Sequence, residues 1–342
     1  MKAIPSIRII ALSLVGPCLT AGCVNTDTAV VRTSRPAMTA FSRTTEPTES
    51  QVQDLVVAER FVEAGQYQEA IRLYEELLAQ NPTLVDAYLG LGSVYQRTDN
   101  LAAAEVNFAR AARLEPDSFD AQAGHGMVLQ SLKRYPEAVA AYQRALLIDS
   151  TSLQANLGAA KSLVEMRRPK AALRFAREAV RLAPEDVTVR IDLADTLQRA
   201  DLPDEAIDEL EVAVELDEID EALLLRLVGA YIEAGRWQEA ANAGETLVEI
   251  APSPVAYEHL GRAFFRLGDS ESSMQAYREA VELDPDHWPS LNGVGVNALN
   301  AWLRSDRSDV EMALEARSAF YSSLRVNPDQ PKVVEILTKY PI

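Results

Sequence analysis

Residues 85–118 read VDAYLGLGSVYQRTDNLAAAEVNFARAARLEPDS, and the next 34 residues, 119–152, read FDAQAGHGMVLQSLKRYPEAVAAYQRALLIDSTS. Laid one over the other, Gly92 falls on Gly126, Ala104 on Ala138 and Phe108 on Tyr142. The same register extends outward, with Ala70, Ala104, Ala138, Ala172, Ala206 and Ala240 each 34 residues after the last. Twelve residues before each stands Ala58, Gly92, Gly126, Ala160 or Ala194, until Val228 breaks the series. Four residues after each come Tyr74, Phe108, Tyr142, Ala176, Leu210 and Gly244. Proline closes most units, at Pro82, Pro116, Pro184, Pro252, Pro285 and Pro328. A period in this range marks stacked supersecondary units, none of which buries its apolar face alone.

Within a unit the spacing predicts two amphipathic helices, for example Ala87–Thr98 and Ala102–Leu114, joined by a turn at Asp99–Asn100. Small residues such as Gly92 and Ala104 let the two backbones approach, and Tyr95 and Phe108 fill the space toward the next unit. Pro136, Pro169 and Pro203 fall in the first turn of a second helix, where a missing N–H costs nothing. Eight units account for residues 51–330, with unit six one residue short and unit eight nine longer around Trp302–Asp309. Residues 331–342 read as a capping helix, with Val334 and Leu337 inward and Lys332, Glu335 and Lys339 outward.

These features resemble the tetratricopeptide repeat (TPR) over residues 51–330. The resemblance implies an all-α fold, a right-handed α-solenoid of about eight helix-turn-helix units. It also implies that protein or peptide partners bind a concave groove lined by the first helix of each unit. Groove positions in units two to four hold Leu89, Gly90, Ala123, Gly124, Met127, Leu157 and Gly158, an apolar trough. In units five to seven they hold Asp195, Arg199, Arg226, Glu258, His259, Arg262 and Arg266. Arg226, Arg262 and Arg266 on one strip of an acidic chain suggest a carboxylate-bearing ligand there. The Lys/Asn clamp of chaperone-binding relatives and the asparagine ladder of glycosyltransferase relatives are not matched.

The charge balance of 33 Lys+Arg against 51 Asp+Glu gives −18, which argues against nucleic acid as a partner. Hydrophobic residues at 48% and charged residues at 25% exclude a chain disordered overall. Both cysteines, Cys18 and Cys23, lie at the start, so the repeats have no disulfide and no thiolate metal site. Residues 1–22 have the charged start and short apolar core of a secretory signal, too short for a permanent span. The signal ends in Leu19-Thr20-Ala21-Gly22-Cys23, which resembles a bacterial lipobox, although Thr20 stands where that pattern prefers Leu. Cys23 is therefore the expected acylation site, and Val24 after it implies an outer-membrane lipoprotein facing the periplasm. Residues 23–50 then read as a Ser/Thr/Pro-rich tether spanning roughly 30 Å.

Chemistry is expected to be absent. Gly90-x-Gly92, Gly124-x-Gly126 and Gly293-x-Gly295 recur inside first helices, where N–H groups are already used, so they read as packing glycines rather than phosphate loops. His125, His259 and His287 lack the paired spacing of metal ligands, and His125 sits where Leu91 and Leu193 stand in other units. Neither Gly-x-Ser-x-Gly nor His-Glu-x-x-His occurs, and no enzyme activity, cofactor or metal is expected. The run Asp201–Glu221, eleven acids and no base, reads as a solvated outer face. The expected function is a lipid-anchored scaffold in envelope assembly, export or pilus biogenesis. The alternative is a regulatory subunit binding peptidoglycan or an envelope synthase or hydrolase.

Overall fold

A computed structural model describes residues 45–216 and 220–342. The signal segment, Cys23 and the tether as far as Arg43–Thr44 lie outside the described residues. Among the described residues there are seventeen helices and no strand. The first helices of the eight hairpins are α1 (Glu49–Glu63), α3 (Val85–Arg97), α5 (Phe119–Ser131), α7 (Leu153–Glu165), α9 (Val187–Arg199), α11 (Glu221–Ala234), α13 (Pro254–Leu267) and α15 (Trp288–Arg304). Their partners are α2 (Tyr67–Gln80), α4 (Leu101–Leu114), α6 (Tyr135–Ile148), α8 (Pro169–Leu182), α10 (Pro203–Leu216), α12 (Trp237–Ile250), α14 (Ser270–Leu283) and α16 (Val310–Val326). A final helix, α17, covers Pro331–Lys339.

Local chemistry starts and stops these helices where the period requires. Ser118, Ser152, Asp186, Asp220 and Ser253 each accept a hydrogen bond from an N–H in the first turn of the first helix that follows. Pro136, Pro169 and Pro203 sit in first turns as expected. In each of the first seven hairpins one residue between the helices enters the left-handed region, at Gly65, Asp99, Lys133, Arg167, Asp201, Gly235 and Gly268, and in the eighth Asp306 and Arg307 both do. Only three of these seven are glycine, so the tertiary context holds four side chains in a conformation they disfavour.

Each first helix packs on its partner, and each partner on the first helix of the next unit, so the hairpins form one row. Most first helices also touch the first helix of the following unit, as α1 touches α3 and α3 touches α5, which places them on the inner face. All six period-defining alanines, Ala70 to Ala240, are completely buried, which confirms the register. The body begins earlier than the boundary at Gln51. The Thr45 hydroxyl donates to Asn81 Oδ1 at 2.7 Å and its N–H to Thr83 Oγ1 at 3.1 Å, so residues 45–50 belong to the repeats rather than to the tether.

Three other details differ from the expectation or complete it. The nine extra residues of unit eight are not a loop: α15 and α16 are 17 residues each, where α3 and α4 have 13 and 14, and only the turn 305–309 takes the remainder. In the capping helix Val333 is buried and Val334 is 49% exposed, the reverse of the expectation for Val334. Val333, Ile336, Leu337 and Tyr340 form the i, i+3, i+4, i+7 set that packs on unit eight. Ser273, which replaces the alanine of unit seven, is fully buried. Its hydroxyl donates to the Gly261 carbonyl at 2.8 Å and accepts from Asn297 Nδ2 at 3.1 Å.

Candidate functional site: the concave groove

The inner face is divided in two by ring packing. A Cβ on Gly90 would lie 2.3 Å from the Tyr74 ring, and one on Gly124 would lie 2.4 Å from Phe108. Gly158 faces Tyr142 in the same way at 2.2 Å, and Gly293 faces Tyr277 at 2.4 Å. In each pair the ring stands on a second helix, and the glycine sixteen residues later lies on the first helix of the next unit. Where the second helix carries Ala176, Leu210 or Gly244 instead, the corresponding groove residue has a side chain: Asp192, Arg226 or His259. A ring and a Cβ cannot share that space. The groove is therefore a glycine-floored trough over units two to four and polar over units five to seven, and the Gly-x-Gly pairs are packing elements as expected.

The trough opens into a cavity of about 690 Å³ lined by α1, α3, α5 and Gln154 of α7. Of the groove residues expected from the sequence, Leu89, Ala123 and Met127 line it, whereas Leu157 is half-buried outside it. Unit one, which the sequence reading left out, supplies a full wall: Val52, Leu55, Val56, Glu59, Val62 and Glu63. Val52 and Val56 are 45% and 41% exposed there, and Tyr74 and Phe108 reach the floor from behind the glycines.

In the polar half the predicted cations are largely engaged. Arg226 is in an ion pair with Asp195 one unit before it, and Lys161 Nζ lies 2.8 Å from Asp192 at the same offset of 31 residues. The Arg266 guanidinium stacks 4.6 Å above the Trp237 ring. Arg199 and Arg262 are exposed and are in no ion pair among the described residues. The strip of three inward cations is thus reduced to one without a local partner, because neighbouring helices bring Asp195 and Trp237 to the other two. Glu258 and His259 lie 3.5 Å apart with side chains 17% and 21% exposed. Burial pushes the Glu258 carboxyl up, against the pull of Arg262, and pushes the His259 imidazole down, aided by Arg262 and His287.

The remaining candidates stay apart. His125 is partly buried on α5, its Nε2 3.5 Å from Glu105, and burial holds its pKa below the usual value despite that carboxylate. His287 Nδ1 is 2.8 Å from Ser290 Oγ. Among the described residues no three His, Cys, Asp or Glu side chains are grouped to hold a metal ion. No described helix is long and apolar enough to cross a membrane. In the acidic run Glu205, Glu209 and Glu211 pair with Arg177, Arg190 and Arg236, and the other acids described there are exposed.

A row of two-helix hairpins with one concave face defines the class: a helical-repeat solenoid. The chain belongs to the tetratricopeptide repeat family, whose models match residues 35–218 and 224–287. Among solved structures it is similar to YrrB, described as a TPR protein with an unusual peptide-binding site. Identity is 24% over 54% of this chain and 96% of that one, with a TM-score of 0.48. It is also similar to PilF of Pseudomonas aeruginosa, at 18% identity over 60% of this chain and 93% of that one, TM-score 0.49. A chain of the Naa15/Naa10 assembly bound to HypK is similar at 17% identity, covering 80% of this chain and 44% of that one, TM-score 0.53. At these identities the likeness shows the fold alone.

Proposed function

We propose that this protein is a non-catalytic TPR scaffold whose concave face binds a protein or peptide. In this reading acyl chains on Cys23 hold it at the outer membrane facing the periplasm, where it serves envelope assembly, export or pilus biogenesis. The observation that carries the binding role is the cavity of about 690 Å³ on the inner face of units one to four, with apolar side chains exposed inside it. Anchoring is supported by the charged start, the short apolar segment and Leu19–Cys23. Each acyl chain contributes roughly 0.8 kcal/mol per buried CH₂, so two or more chains hold stably.

Two variants test the two halves of the reading. Leu89→Arg with Met127→Arg, both on the cavity wall, is expected to abolish capture of the native partner from envelope extracts while leaving the helical circular dichroism unchanged. Capture at the parent yield would sink the groove reading. Cys23→Ser is expected to leave the protein soluble or unprocessed, and its persistence in membranes after a high-salt wash would sink the anchor. Recovery of glycan strands instead of proteins would favour a peptidoglycan-binding regulator.

A further inference from the structure

The cavity of units one to four differs from the rest of the groove in what it leaves without a partner. Glu59, Glu63, Asp86 and Asp120 stand around its apolar floor with, among the described residues, a single cation, Arg97. All five are exposed, and among the described residues none is in an ion pair or a side-chain hydrogen bond. In the polar half, by contrast, Asp192 and Asp195 are neutralised by Lys161 and Arg226 across the unit boundary. The rim therefore keeps an excess of three negative charges facing a concave, partly apolar space, where a low-dielectric wall strengthens their field.

A second, independent feature lies at the floor. Tyr74 is 98% buried, being 2% exposed, and it lines this cavity with its hydroxyl beside Gly90. That hydroxyl has no hydrogen-bond partner among the described residues. Its equivalent two units on, Tyr142, donates to Gln130 Oε1 at 3.0 Å. The residue of unit one that corresponds to Gln130 lies 68 positions earlier and is Val62, which has nothing to offer. The same ring in the same packing thus satisfies its hydroxyl in unit three and presents it to the cavity in unit one. The ring is buried but its hydroxyl opens on the cavity, a polar point in the floor to which a ligand's main-chain group can hydrogen-bond.

We propose that this cavity receives a cationic, apolar peptide segment, a refinement that rests on the groove reading of the preceding subsection. Lys or Arg side chains of the ligand meet Glu59, Glu63, Asp86 and Asp120. Its apolar side chains meet Val52, Val56, Leu89 and Met127, and a main-chain group meets the Tyr74 hydroxyl. An acidic peptide is repelled by the same rim.

The test titrates the full chain against two labelled synthetic peptides of about twelve residues, one alternating Leu and Lys and the other Leu and Glu, followed by fluorescence anisotropy. The Leu/Lys peptide is expected to bind and the Leu/Glu peptide to fail. Tyr74→Phe, which keeps the ring and removes only the hydroxyl, is expected to weaken the Leu/Lys peptide about fivefold, with the melting temperature nearly unchanged. Glu59→Gln with Asp120→Asn is expected to weaken it about tenfold and to flatten its salt dependence. This pair, on the exposed rim, keeps the test decisive should Tyr74→Phe unfold the protein. Asp195→Asn, in the other half of the groove, is expected to change nothing. Equal binding of both peptides, binding of neither, or an unchanged affinity in the rim pair would overturn the assignment. Binding of the Leu/Glu peptide that is lost in Arg262→Glu with Arg266→Glu would overturn it while leaving the groove reading intact. The groove reading itself falls only with the Leu89→Arg and Met127→Arg capture result.

Discussion

Alanine in place of Gly124 is a small change whose sign depends on one ring. On an isolated helix the substitution is favourable by about 1 kcal/mol, because glycine loses the most backbone freedom on folding. In α5 the new Cβ would lie 2.4 Å, 2.6 Å and 2.9 Å from three atoms of the Phe108 ring, where ordinary contact begins near 3.4 Å. The ring has no room to retreat, since its opposite edge is already against Gly92, whose own Cβ position is 2.8 Å from it. The helices must part, which places the overpacking cost near the upper end of about 1–3 kcal/mol and leaves a net loss of about 1–2 kcal/mol. Phe108→Ala costs about 3–5 kcal/mol alone, but it empties the space. In that background Gly124→Ala should stabilise by up to about 1 kcal/mol, reproducing the pairing of Ala176 with a side chain at position 192. Urea titration followed by far-ultraviolet circular dichroism measures all four proteins. The three tryptophans, Trp237, Trp288 and Trp302, all lie in the C-terminal half, so a loss centred on units two and three should shift the dichroism before the tryptophan fluorescence. A parent-background Gly124→Ala that matches or exceeds the parent midpoint would refute the ring–glycine account, as would the same sign in both backgrounds.

Two further outcomes follow from single residues. Arg167, exposed in a hairpin turn with φ of 57°, should be better as glycine. The left-handed backbone costs an ordinary residue about 1–2 kcal/mol and the added chain freedom returns part of that, so Arg167→Gly should raise the calorimetric Tm by about 1–3 °C. A lowered Tm would mean the turn carries no strain. For His125, burial holds the folded imidazole below its usual 6.5, so its contribution is present above that pH and is lost as pH falls through 6.5 toward the folded value. His125→Leu should therefore narrow the Tm difference between about pH 7.5 and about pH 5.5, and an unchanged difference would show that the imidazole is not the group responsible.

Much of the inner face was legible in the sequence. The 34-residue period, the caps and the turn positions are short-range chemistry repeated along the chain, and they put Leu89, Ala123 and Met127 on the first helices, where they line the cavity. The division of the groove was legible too, in the sixteen-residue spacing from Tyr74 to Gly90 and from Phe108 to Gly124. Unit one was missed as a cavity wall because Val52, Val56 and Val62 look like ordinary helix residues until α3 stands beside them. The capping helix was misread by one position, since Val333 and Val334 are adjacent and only the surface they meet decides which turns inward.

What the amino-acid order determined by itself is the set of interactions closed within a helix or a hairpin. Such interactions are the alanine positions that let backbones touch, the prolines that start second helices, and the apolar period that forces neighbours to stack. What only the tertiary structure decided is which polar groups find partners across units. Arg226 reaches Asp195, Lys161 reaches Asp192, and Arg266 lies on Trp237. Repetition fixes the offset between neighbouring helices, but each such contact depends on two residues in different units meeting at the ends of flexible side chains. Their energies are small, and the chain records them in no periodic pattern.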